Sequence, residues 1–144
     1  MKISTKGTYA VRLMLLLAMH EDELVSLKEI SRITGISKKY LEQIVPSLTS
    51  AGLVRSVRGA QGGYRLANSP DKITILDVLN VMEGSIAPAS CLQGDTFECN
   101  FGTPCMEFYV WKGLHEVQQK YLSSITLQDV IDHSTSALTD NYCI

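Results

Sequence analysis

The sequence predicts a mainly α-helical fold with one small β-hairpin, a winged helix-turn-helix followed by a long dimerisation helix. Three observations predict it. Two short helical patterns meet at a glycine turn between Leu27 and Val54. Two short strand candidates flank a glycine-rich turn at 58–63. A later helical pattern carries apolar residues at coiled-coil spacing.

The first element is a helix over Ser4 to Met19. Tyr9, Ala10, Val11, Leu13, Met14, Leu15, Leu16 and Leu17 make it apolar nearly all round, so it should be buried. Residues 20–25 read as a polar connection. Ser26 then opens a second helix, with Glu29 three positions on. That is a capping box, in which the hydroxyl takes an orphan N–H and the carboxylate returns the bond. Thr74 with Asp77 and Thr126 with Asp129 repeat the signature before two later apolar runs.

Two helices that cross steeply need a small residue at the contact, a glycine in the turn and apolar anchors around it. Ser31 is the small residue, and Gly35 can end the first helix at a positive φ. Ile30, Ile36, Leu41 and Ile44 are the anchors, and Ser37 is a natural N-cap for the next helix. Pro46 conflicts with this helix: a proline there deletes a hydrogen bond and should kink or end it.

Helices so arranged present their N-terminal residues to base edges in the major groove of DNA. Here those residues are Ser37, Lys38, Lys39, Tyr40 and Gln43. Lysines anchor phosphates or guanine, Gln43 can pair bidentately with adenine, and Tyr40 can reach phosphate or a thymine methyl. Glu42 fits either a cytosine contact or a plain surface carboxylate. Strand candidates Leu53 to Val57 and Tyr64 to Ala67 then form a wing. It bears Arg55, Arg58, Tyr64 and Arg65, and Arg58 at its tip suits phosphate or minor-groove contact. The glycine-rich turn matches no nucleotide-binding pattern, because it lies between strands and does not open a helix.

Charge divides with the motifs. Through Pro70 there are ten Lys and Arg against five acids, a net +5; from Asp71 onward there are three against ten, a net −7. We therefore expect a polyanion-binding domain over 1–70, with a sensor loop (about 84–105) and dimerisation helices over 71–144. The apolar run Val11 to Met19 is broken by Arg12 and too short to span a bilayer. The expectation is a cytoplasmic protein with no membrane partner and no small-molecule substrate. No Ser–His–acid set or C-x-x-C pair supports an enzyme, since His20, His115 and His133 are scattered.

Residues 84–104 read as irregular, and a helix returns from Met106 to Leu122. Its Val110, Leu114, Val117 and Tyr121 are spaced 4, 3, 4, which is a seam for a second copy of the chain. Cys91, Cys99 and Cys105 precede it as C-x7-C-x5-C. Zinc sites usually pair cysteines two to four residues apart and need four closed ligands. Three thiolates on a glycine-containing loop suit an iron–sulfur cluster better. Three reduced thiols without metal fit the same spacing.

The stretches MKISTKGTYAVRLMLLLA, SKKYLEQIVPSL and SVRGAQGGYRLA, with the three-cysteine loop, closely resemble the Rrf-two (Rrf2) family of bacterial regulators. The resemblance covers nearly the whole chain. It implies a homodimer that binds a double-stranded DNA operator and controls transcription, usually by repression. It also implies Cys91, Cys99 and Cys105 as ligands of an iron–sulfur cluster, 2Fe-2S being expected over 4Fe-4S. Two departures stand out. The first two cysteines are farther apart than in many cluster-bearing members. The fourth ligand is open: Phe108 stands where some members place a histidine, and Thr8 where others use a carboxylate. Glu107, His115 and Cys143 are the remaining candidates, with a solvated surface position expected for His115.

Overall fold

A computed structural model describes residues 2–94 and 105–142. Helix α1 (Thr5–Met19) is the hub. Ser4 caps it, its hydroxyl accepting from the Gly7 N–H at 3.0 Å. Ala10, Leu13, Met14 and Leu17 are fully buried. Against α1 pack α2 (Leu27–Thr34), the hairpin strand β2 (Gly63–Leu66), α4 (Ile75–Glu83) and α6 (Leu127–Tyr142). The remaining elements are α3 (Lys38–Ser50), β1 (Val54–Val57) and α5 (Phe108–Ser124), with short 3-10 turns at Pro70–Lys72 and Ser90–Leu92.

The hydrophobic core joins α1, α2 and α3 to Ile73, Val78 and Leu127. Charge changes sign near Pro70, yet apolar packing runs across that point. A backbone bridge between Thr74 and Thr126 ties the two later caps side by side. In it the Ile75 N–H donates to the Ile125 carbonyl and the Leu127 N–H to the Ile73 carbonyl, both at 2.9 Å. The start of α6 is thereby held beside the start of α4, although about fifty residues separate them in sequence.

Of the three capping boxes expected, two close fully. Thr74 with Asp77 and Thr126 with Asp129 exchange both bonds. The third is half formed. Ser26 accepts from the Glu29 N–H at 3.2 Å, but the Glu29 carboxylate turns toward Arg32 and binds its guanidinium. A charge-assisted pair one turn along the exposed helix outcompetes a neutral N–H. The guanidinium holds the Glu29 carboxyl below its ordinary range.

Pro46 does not end its helix. α3 runs four residues beyond it, to Ser50. Position 46 is on the exposed face, so water can satisfy the Glu42 carbonyl that the missing N–H would have bonded. The remaining residues of α3 bury Leu41, Ile44, Val45 and Leu48, and that packing outweighs one lost hydrogen bond.

α5 stands apart in burial. None of its seventeen residues is buried. Its seam residues Val117 and Tyr121 are 66% and 64% exposed. The helix begins at Phe108, two residues later than the sequence pattern suggests.

Candidate nucleic-acid interface

Local chemistry shapes the α2–α3 turn. Gly35 takes φ 74°, the left-handed region, and its N–H donates to the Ser31 carbonyl at 3.0 Å, ending α2. Ile36 then buries itself in the core, 2% exposed, and anchors the turn. Ser37 caps α3 by accepting from the Tyr40 N–H at 3.2 Å. These contacts set the start of α3 and leave Lys38, Lys39, Glu42 and Gln43 in solvent.

Tyr40 departs from the expectation of a fully displayed side chain. It is half-buried. Its ring meets Tyr9 of α1 edge to face, with centroids 5.3 Å apart and planes at 79°. Arg12 stands over the other ring of this pair, its guanidinium carbon 5.8 Å from the Tyr9 centroid. Such contacts are worth about 0.5–1.5 kcal/mol beyond area burial. They limit the rotamers of Tyr40, and they bring a cation of α1 to the side of α3.

The wing is a two-stranded antiparallel hairpin in which Val54 pairs with Leu66, Arg55 with Arg65, Ser56 with Tyr64 and Val57 with Gly63. Val54 and Leu66 are buried, rooting the hairpin in the core. Tyr64 also pairs with Val25: the Val25 N–H donates to the Tyr64 carbonyl at 3.0 Å, and the Tyr64 N–H to the Val25 carbonyl at 2.9 Å. The wing is thus stitched to the segment that opens α2. The Tyr64 side chain is half-buried and lines an open groove of about 430 Å³ with Leu27, Glu42, Pro46 and Ser56. Arg55, Arg58 and Arg65 are exposed. Among the described residues, the ion pairs are Glu29 with Arg32 and Lys112 with Glu116, so no carboxylate neutralises Lys38, Lys39 or the three wing arginines.

Of the expected metal ligands, Cys91 lies in the 3-10 turn Ser90–Leu92, which Leu92 anchors in the interior; Cys91 itself is half-buried. Cys105 is half-buried on the approach to α5, and its carbonyl accepts from the Phe108 N–H at 3.3 Å. Cys99 and Cys143 lie outside the described residues. Among the described residues no three His, Cys, Asp or Glu side chains come together as a metal site. Glu107 is exposed at the start of α5. His115 differs from the expectation of a solvated residue: it is half-buried, and its Nδ1 is shielded from water without a hydrogen-bond partner among the described residues. Among the described residues no helix is long and apolar enough to cross a membrane.

The family model described as Rrf2, iron-dependent transcriptional regulator, matches residues 3–133. This chain belongs to the Rrf2 family. It is 39% identical over 135 residues to the transcriptional regulator CymR of Bacillus subtilis, covering 93% of this chain and 92% of that one. It is 38% identical over 142 residues to IscR of Aliivibrio salmonicida, covering 97% and 83%. The solved structure of CymR, the global cysteine regulator of B. subtilis, superposes with a TM-score of 0.79 at 37% identity, covering 92% of this chain and 98% of that one. The solved structure of T. potens IscR gives 0.77 at 40% identity, covering 95% and 90%.

The chain is therefore a DNA-binding transcriptional regulator of the Rrf2 family, not an enzyme, with the winged helix-turn-helix fold its sequence predicts. Two features of this Rrf2 chain escape sequence reasoning. The Tyr9–Tyr40 contact joins residues 31 positions apart, and no local pattern signals it. Arg65 stands directly across the hairpin from Arg55, and that register becomes legible only once the turn length is known.

Proposed function

We propose that this Rrf2 regulator acts as a homodimeric repressor. In this reading Ser37, Lys38, Lys39, Tyr40 and Gln43 enter the major groove of an operator, while Arg55, Arg58 and Tyr64 meet its backbone and the adjoining minor groove. The observation that carries it is a capped, rigid helix start and a hairpin whose cations have no acidic partner among the described residues. A surface of that kind gains most from polyanion contact, because bound counterions are released. Ser37 serves chiefly as the cap that orients its neighbours.

The homodimer reading is supported by α5, none of whose residues is fully buried and which exposes Val110, Trp111, Leu114, Val117 and Tyr121. An apolar stripe on a seventeen-residue helix is suited to a second copy. Two recognition helices would then face half-sites about 34 Å apart, one DNA turn.

For sensing, we assign Cys91, Cys99 and Cys105 as ligands of an iron–sulfur cluster, 2Fe-2S in the first instance. The chemistry of the donor set fits: three soft thiolates lie in sequence between α4 and α5, and His115 holds a ring nitrogen without a partner among the described residues. When bound, the cluster supplies a link among these residues that oxidation or ligand loss can break. The chain's own contribution is mechanical. α4 ends at Glu83, whose carboxylate accepts from the Ser4 N–H at 3.0 Å and its hydroxyl at 2.7 Å. The loop is therefore tethered at its start to the first turn of α1, and at its end to the dimer helix. Two arrangements of the loop would hold the winged halves differently and so differ in operator affinity.

A second reading is a cluster-free regulator that answers to a metabolite, thiol oxidation or a partner protein. The similarity to the cysteine regulator CymR favours it. Anaerobic purification with iron and sulfide quantified, followed by operator titration with and without cluster, separates the two. Bound iron and sulfide with unequal affinities support the first. A colourless protein whose operator binding responds to a thiol oxidant supports the second. A monomer without affinity for any duplex refutes the whole reading.

A further inference from the structure

The hairpin sets two like charges directly opposite each other. Arg55 and Arg65 are register partners, so their Cβ atoms lie on one face at the spacing of neighbouring strands. Like charges so placed repel, and a carboxylate nearby would be the usual remedy. Among the described residues neither arginine has an ion-pair partner. Both are exposed beside an open groove of about 500 Å³ lined by Thr49, Gly52, Ser56, Ala67 and Asn68. The Thr49 hydroxyl donates to the Val45 carbonyl at 2.9 Å, which commits its proton. Strand alternation turns the Ser56 side chain to the opposite face, with its register partner Tyr64, so the side-chain donors left to this groove are the two guanidinium forks and the Asn68 amide.

We propose that this outer face of the wing is a binding site for a tetrahedral oxyanion, gripped jointly by Arg55 and Arg65. Two planar forks match the oxygens of a phosphate, and a bound dianion turns the cross-strand repulsion into attraction. The groove is open and larger than one such ion, so it admits a phosphate that belongs to a longer chain. Thr49 lies eleven residues beyond Lys38 on α3, about 16 Å along the helix axis. The site is thus remote from the base-reading turn and reads no sequence. A phosphate of the operator backbone is one source of the ligand, and free phosphate or sulfate is the other. The first source rests on the proposed DNA contact of the wing; the second does not.

The test compares wild type with Arg65→Gln and the Arg55→Gln/Arg65→Gln double variant, using Arg58→Ala as an independent probe of the wing. A duplex selected from a random-sequence library is titrated across a series of salt concentrations. Separately, the thermal midpoint of the DNA-free protein is read in sodium phosphate and in sodium chloride at equal ionic strength. With a DNA phosphate in the site, Arg65→Gln lowers the slope of log affinity against log salt by about 1, leaves discrimination between duplex sequences unchanged, and does not lower the midpoint. With a free oxyanion as ligand, phosphate raises the wild-type midpoint above its chloride value, and the double variant loses that rise. If neither readout moves while Arg58→Ala still weakens duplex binding, the oxyanion site is wrong and the DNA reading survives. If wild type binds no duplex, that reading falls, and the phosphate comparison alone decides for or against the site.

Discussion

Gly63→Ala tests how the wing is fixed to the rest of the domain. Gly63 is not among the described glycines with positive φ, so alanine meets no backbone strain there. The cost comes from space. A Cβ at position 63 would lie 2.9 Å from the Val25 carbonyl carbon and oxygen and 3.1 Å from its nitrogen. These are backbone atoms, so the two segments must part by several tenths of an ångström. The bonds at risk are the adjacent pair between Val25 and Tyr64, at 2.9 and 3.0 Å. Each contributes about 0.5–1.5 kcal/mol net, giving roughly 1–3 kcal/mol if both are lost. Against that, replacing glycine removes about 0.4–1 kcal/mol of unfolded-state entropy. The expected loss is about 1–2 kcal/mol, a fall of roughly 3–8 °C in melting temperature. Urea denaturation followed by circular dichroism measures it, and operator titration of the folded variant should show weaker binding as the hairpin shifts. A variant as stable as wild type would show that the Val25 bridge does not hold the wing, and the close approach would have to be discarded as its anchor.

Three further outcomes are expected. Ser37→Ala removes the cap of α3 and should cost about 1 kcal/mol in urea denaturation; operator affinity should fall too, because the frayed turn carries Lys38, Lys39 and Gln43. Val117→Glu puts a carboxylate into the α5 seam twice per proposed dimer. Burying it without a partner costs several kcal/mol, so sedimentation should show self-association weakened by at least about 100-fold, with helicity intact because Val117 is exposed in its own chain. The Asp129 carboxylate accepts from the Thr126 N–H and hydroxyl, the backbone bond foremost, which holds its carboxyl below the ordinary carboxylate range. A depressed value means the stabilisation is complete above the unfolded-state value and is lost as pH falls through the folded one. Asp129→Asn should therefore flatten the acid side of the stability profile, with the gap from wild type closing as pH drops; a gap that widens toward acid would show that the cap is not ionic.

Function was legible unevenly. The glycine turn and the capped start of α3 at Ser37 could be picked out because their logic is local: a cap three residues from its partner N–H, and a glycine four residues after a small contact residue. Tyr40 could not be placed from that logic, since its ring is positioned by Tyr9 on another helix. The three cysteines were visible as a pattern, but spacing along a loop does not convey which of them meet in space. That α3 continues past Pro46 was illegible for a related reason. The propensity argument weighs one hydrogen bond, whereas the helix is held by four buried side chains around it.

The sequence by itself determined the helices, the caps that start them, the turn at Gly35, the hairpin and the sign of charge on each half. Each of these is an interaction within about four residues or a periodicity along one element, so linear order already contains it. Only the tertiary structure decided that Val25 stitches the wing, that Glu83 holds the start of α1, that Arg55 confronts Arg65, and that α5 leaves its apolar stripe uncovered. Those depend on which distant surfaces meet when the core around α1 closes. That choice minimises exposed apolar area over the whole chain, and no short window of residues encodes it.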